Sequence, residues 1–167
     1  MLVTLTILAI ITAATVPEMA RFVTRHRLAA VANDLLALFI LARNESLIKN
    51  ARVTVCRSRD ANAAQPVCAP AGSSWADGAL VFIDPSGNMP AQPANLTDLV
   101  RVRGPIPPGY TIERLGQTSS SVTFTAGRLK TGTIGVSFEI RAPNGEKRCL
   151  IVATTGRARI VGDTCSE

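Results

Sequence analysis

The 167 residues fit one domain, or one domain with an attached element, and are enough to bury a core without a metal or cofactor. Eighteen Lys+Arg against 12 Asp+Glu give a net charge of +6, which argues against a disordered or acidic chain and suits an anionic partner. Fifteen of the 18 cations are arginine, the side chain suited to bidentate phosphate contacts; a GC-rich coding sequence yields the same bias, so placement carries the information.

Residues 1–17 carry no charge, and the 16 residues ahead of Pro17 fall short of a full membrane span of about 20 apolar residues. Three readings stand side by side. The run is a short membrane or filament helix using Leu2, Leu5, Ile7, Leu8, Ile10 and Ile11, or a cleaved secretion signal, or part of a longer apolar segment that starts upstream. The signal lacks a basic n-region and an A-x-A site. From Glu18 to about Arg52 the pattern is helical, with Leu28, Val31, Leu35, Leu38 and Ala42 on one stripe. No glycine interrupts residues 1–71, and Pro17 kinks a helix without ending it. The spacing predicts one helix of about 50 residues, roughly 75 Å long. Residues 1–17 would be membrane-embedded and 18–52 amphipathic. Arg21, Arg25, His26 and Arg27, just past the apolar run, would meet headgroups, pair with neighbouring subunits or cap a membrane helix.

Beyond Arg52 the period becomes two. Strands are predicted over 53–57, 79–84, 99–103, 110–114, 122–125, 134–141, 149–153 and 157–161, forming a β-rich head over residues 53–167. Turn chemistry separates them, and Asn144-Gly145 is the strongest hairpin signal. Segments 59–74 and 85–98 read as surface loops. The fold class is therefore α+β, a long helix packed on an antiparallel sheet.

Cys56, Cys68, Cys149 and Cys165 form two sequence-local pairs, which favours Cys56–Cys68 and Cys149–Cys165 among three connectivities. Each bridge would contribute on the order of 3 kcal/mol and places the head outside the cytoplasm. Buried free thiols are the alternative. The only histidine is His26 and no C-x-x-C occurs, so neither a metal nor a cofactor is expected.

Three R-x-R pairs lie in strand-like sequence: Arg57/Arg59, Arg101/Arg103 and Arg157/Arg159. In a strand, residues i and i+2 share a face, so each pair offers two guanidinium groups together. For Arg101/Arg103, a charged solvent face on a half-buried strand is explanation enough. Arg157/Arg159 differs in following Gly156, which lets a turn bring backbone N–H groups to a phosphate, with Lys147 and Arg148 at the start of the preceding strand. Arg128 and Lys130 would widen that patch. Such a site reads phosphates and not bases, since one Tyr, one Trp and five Phe leave little for stacking.

The layout resembles a type IV pilin or pseudopilin. LVTLTILAIITAATVPEM at 2–19 is similar to the continuation of the pilin N-terminal signature. Residues 29–35, 42–46 and 53–56, with Trp75, Gly78, Phe82 and Asp84 as W-x-x-G-x-x-x-F-x-D, resemble the GspH/FimT group of minor pilins. Gly156-Arg157-Ala158-Arg159 matches the G-R-x-R motif associated with DNA binding in FimT-type pilins, followed by Cys165. The resemblance implies a minor pilin held in the inner membrane with a periplasmic head, then assembled with major and minor pilins into an extracellular pilus. It also implies sequence-independent binding of double-stranded DNA for uptake in natural transformation. A structural pseudopilin of a type II secretion or pilus assembly system, without DNA binding, is the alternative. The Gly, Phe and Glu of the processing signature are missing ahead of Met1, so prepilin peptidase is a partner only if the natural start lies upstream.

An enzymatic pattern is weaker. Ser46–Lys49 fits S-x-x-K and Lys130–Gly132 fits K-T-G, but S-D-N is missing and Ser46 falls near the end of a helix, so no enzyme is expected. Nor is a globally basic surface: residues 18–60 carry eight cations against four anions, and 148–167 three against two.

Overall fold

A computed structural model of the chain describes all residues except 1, 71, 86, 88–91, 117–119, 131–134, 163 and 166–167; of Leu2 and residues 4–17 the backbone alone is described. One helix, α1 (Leu2–Ile48), runs through Pro17 without a break. Every residue of the predicted stripe is buried, Leu35 and Ala42 completely, and Ala32 and Phe39 complete the face. The helix stops four residues short of Arg52 because Asn50 takes φ +46°, the left-handed conformation that closes a helix end. The proposed lipid-facing side chains of Leu2, Leu5, Ile7, Leu8, Ile10, Ile11 and Pro17 lie outside the described residues. Among those described, no helix is long and apolar enough to cross a membrane.

Among the described residues nine strands follow: β1 (Val53–Arg57), β2 (Ala79–Ile83), β3 (Leu99–Arg103), β4 (Thr111–Leu115), β5 (Ser121–Thr125), β6 (Arg128–Leu129), β7 (Val136–Arg141), β8 (Lys147–Val152) and β9 (Ala158–Val161). They form two antiparallel sheets, ordered β3-β2-β1-β5-β6 and β4-β7-β8-β9. The stripe of α1 packs on both sheets around Trp75, Phe124 and Phe138, so a single core joins them. The Trp75 and Phe138 rings meet nearly at right angles with their centroids 5.1 Å apart. The short β6 carries no strand-length apolar run, and pairing with β5 alone defines it. The Asn144-Gly145 signal is borne out: Ala142 N–H donates to Glu146 O and Gly145 N–H to Ala142 O, closing the five-residue connection between β7 and β8.

All four cysteines are oxidised, as Cys56–Cys68 and Cys149–Cys165, which removes the free-thiol alternative. The first bridge anchors the 59–74 loop to β1. Cys68 also exchanges two hydrogen bonds with the Gln92 amide, tying that loop to the 85–98 loop.

Candidate functional site

The structure treats the three R-x-R pairs differently. Arg57 is 8% exposed and donates to Ser73 O, while Arg59 points to solvent. Arg103 is 7% exposed and donates to Trp75 O, whereas Arg101 is exposed. The expected charged face on β3 is therefore incorrect. Its Val102 is 37% exposed while Arg103 turns inward, because the ladder shifts register between Val81 and Phe82. Only Arg157 and Arg159 are both exposed. Arg159 alternates along β9 with Ala158 and Ile160, which pack on the core, so it faces away from α1.

The turn between β8 and β9 is built by Gly156 N–H donating to Ala153 O and Ala153 N–H donating to Arg157 O. This corrects the phosphate-cradle reading of Gly156. Its N–H is used within the turn, the residue is buried, and its φ is +80°. A Cβ there would lie 2.0 Å from Gly127 O, so glycine is required for the close approach of two turns. The turn before β6 is held from the helix end. Gly127 N–H donates to Ser46 Oγ at 3.0 Å, and Arg43 Nε donates to Gly127 O at 3.1 Å. Leu129 N–H donates to Thr154 O at 3.1 Å, which ties β6 to the β8–β9 turn.

Arg128 and Lys130 flank Leu129 on exposed positions, and Arg157 follows Gly156, so these three cations share the pole of the head nearest the C-terminal end of α1. Neither these residues nor Arg159 has a carboxylate partner among the described residues. Arg43 is a fourth cation at this pole and was missed in the sequence because it reads as ordinary helix-surface charge; its contact with Gly127 is a long-range one.

Lys147 and Arg148 do not join the patch, contrary to expectation. β8 begins at Lys147 and meets the turn only beyond Val152, so they lie about 17 Å away along the strand. Lys147 Nζ sits 3.3 Å from Glu139 Oε2, and Arg148 lines a pocket with Arg25, Leu28 and Glu146. There Arg25 Nε donates to Glu146 Oε1 at 2.9 Å, and that hydrogen bond raises the Arg25 pKa.

Electrostatics separate structural from available arginines. Burial pushes the Arg57 guanidinium pKa down; for Arg114 burial acts first and the Arg57 charge adds to it. Of the enzyme-like pattern, Ser46 is completely buried, donates to Arg43 O and accepts from Gly127, while Lys49 pairs with Glu45 at 3.3 Å. Thr131 and Gly132 lie outside the described residues.

A family model described as Type II transport protein GspH matches residues 31–156. A search of curated proteins finds no match. Among solved structures, the type IV minor pilin FimU of Pseudomonas aeruginosa PAO1 superposes with a TM-score of 0.64 at 20% identity, over 85% of this chain and 93% of that one. A second crystal form gives 0.60 at 21%, over 81% and 94%. The minor pseudopilin EpsH of the Vibrio cholerae type 2 secretion system gives 0.52 at 10%, over 81% and 97%.

Proposed function

The chain belongs to the GspH family of minor pilins and pseudopilins, and we propose that it is a type IV minor pilin that holds extracellular DNA for uptake through Arg157 and Arg159. The observation that carries this reading is selective exposure: of three R-x-R pairs, only this one presents both guanidinium groups to solvent, beside Arg128 and Lys130. Among the described residues no exposed aromatic side chain accompanies these cations, which suits the phosphates of duplex DNA. Residues 1–17 would anchor the chain in the inner membrane with the head in the periplasm, and the same helix would pack among other pilins after assembly.

The test is a gel-shift titration of the whole chain in neutral detergent against duplex DNA of two unrelated sequences at several salt concentrations. Equal affinity for both, with a log–log salt slope of about −3 to −4, is expected for three or four phosphate contacts. Unchanged binding by the Arg157→Ala/Arg159→Ala double variant would show the assignment wrong.

The likeness to EpsH favours a second reading, a pseudopilin of a type II secretion filament with no nucleic-acid role. Absence of DNA binding at low salt by a folded chain would select it.

A further inference from the structure

A groove of about 300 Å³ runs between α1 and the chain after β3, lined by Arg27, Val31, Asp34, Arg103, Ile106 and Pro107 among others. Its walls are mostly apolar, yet the buried arginine Arg103 is among the residues that line it. The Arg103 side chain is 93% buried, as its 7% exposure requires, and among the described residues only Nη2 has an acceptor, the Trp75 carbonyl. Among the described residues, Nε and Nη1 are buried without a hydrogen-bond partner. The nearest carboxylate, Asp34, is half-exposed at the rim and stands 3.9 Å from Nε, too far for a hydrogen bond. Unsatisfied buried donors on a full charge are costly, and an acceptor that reached them would recover that cost.

The groove is not isolated. Met19, Val23, Arg27, Ala30 and Asp34 recur at three and four residues and so share one helix face, beside the face that packs on the sheets. Met19 and Val23, 65% and 42% exposed, form an uncovered apolar approach that leads along α1 into the groove. A partner helix laid on this stripe would bury both.

We propose that the groove docks an acidic side chain borne on the apolar helix face of a neighbouring pilin, its carboxylate pairing with Arg103 Nε and Nη1. Its stem lies against Val31 and Pro107, and Arg27 at the mouth supplies a second positive charge. Asp34 is a resident competitor that yields the place beside Nε when the partner enters. A phosphate suits the site less well: its second negative charge meets Asp34, and the apolar walls offer it no donors. The inference rests on the pilin family and is independent of DNA binding at the other pole.

The test uses the whole chain in maltoside micelles, with the Arg103 Nε–H resonance followed by NMR at constant ionic strength. The probes are 3-methylbutanoate, its neutral isostere 3-methylbutanamide, inorganic phosphate, and an amphipathic helical peptide with one central glutamate beside its glutamine twin. Both carboxylate probes should shift the resonance saturably, with the amide, the phosphate and the glutamine peptide at least about tenfold weaker. Asp34→Asn, at an exposed position that leaves the fold intact, should tighten both carboxylates about threefold by removing a like charge. The proposal is overturned by any of four results: no saturable shift, an equal response to the neutral twins or to phosphate, weaker binding in Asp34→Asn, or binding of the small acid without the glutamate peptide.

Discussion

Gly156 and Gly127 meet backbone to backbone: a Cβ on Gly156 would fall 2.0 Å from the Gly127 carbonyl oxygen and 3.1 Å from Arg43 Nε. Ser46 and Arg43 in turn hold both ends of the Gly127 residue. The position of Arg157 is thus set from α1 through two glycine turns. No single element carries the site.

Gly156→Ala should destabilise the head by about 2–4 kcal/mol, since a methyl group there meets backbone and the φ of +80° is strained for any side chain. Gly127→Ala should cost less, because the obstructing atom at 2.8 Å is the flexible end of Leu47. Urea unfolding of both variants checks the order, and equal midpoints would contradict the backbone contact.

Ser46→Ala should cost about 1–3 kcal/mol, the cost of stranding the buried Gly127 N–H. Ser46→Thr should retain more of the stability than alanine does, because it keeps the acceptor. Thermal unfolding distinguishes the two.

Under the proposed function, Arg128→Ala and Lys130→Ala should each weaken DNA binding about three- to tenfold and reduce the salt slope by about one. Lys147→Ala and Arg148→Ala, at the other end of β8, should change it by less than about twofold. Fluorescence anisotropy at two salt concentrations measures both sets. A larger loss at Arg148 than at Arg128 would relocate the site.

Glu139 provides the pH dependence. The hydrogen bond from Arg141 lowers its pKa most, burial opposes that, and Lys147 adds to the lowering. A carboxyl whose folded pKa lies below its unfolded value of about 4.3 stabilises the head above that pH, and the contribution is lost as pH falls through the folded value. Wild-type thermal stability should therefore fall more between about pH 5 and 3 than that of Glu139→Gln, which carries no titrating group there. Parallel curves would remove Glu139 from the acid transition.

Reduction of the two disulfides should lower stability by on the order of 3 kcal/mol each in the chain-entropy model. Because Cys165 anchors the segment after β9 to β8, Cys149→Ala/Cys165→Ala should also speed amide exchange across β9, while Cys56→Ala/Cys68→Ala should leave β9 unchanged. Hydrogen exchange of Arg159 and Val161 reads the difference.

Local regularities in the sequence determined the long helix, eight of the nine strands found among the described residues to within about two residues at each end, the β7–β8 hairpin and both disulfide pairs. The reason is that a 3.6-residue stripe, a two-residue alternation and short cysteine spacings are properties of neighbouring residues. Its three R-x-R pairs share one alternation, and in the sequence only the glycine ahead of Arg157 and the nearby cations set that pair apart. Tertiary structure alone decided that Arg57 and Arg103 turn inward to the Ser73 and Trp75 carbonyls while Arg157 and Arg159 stay outside. It also decided that Lys147 and Arg148 lie at the far pole, that Arg43 belongs with the patch, and that Gly156 serves packing. Each depends on a contact between residues far apart in the chain, where strand register and the approach of two turns set which donors find acceptors and which remain free to meet a partner.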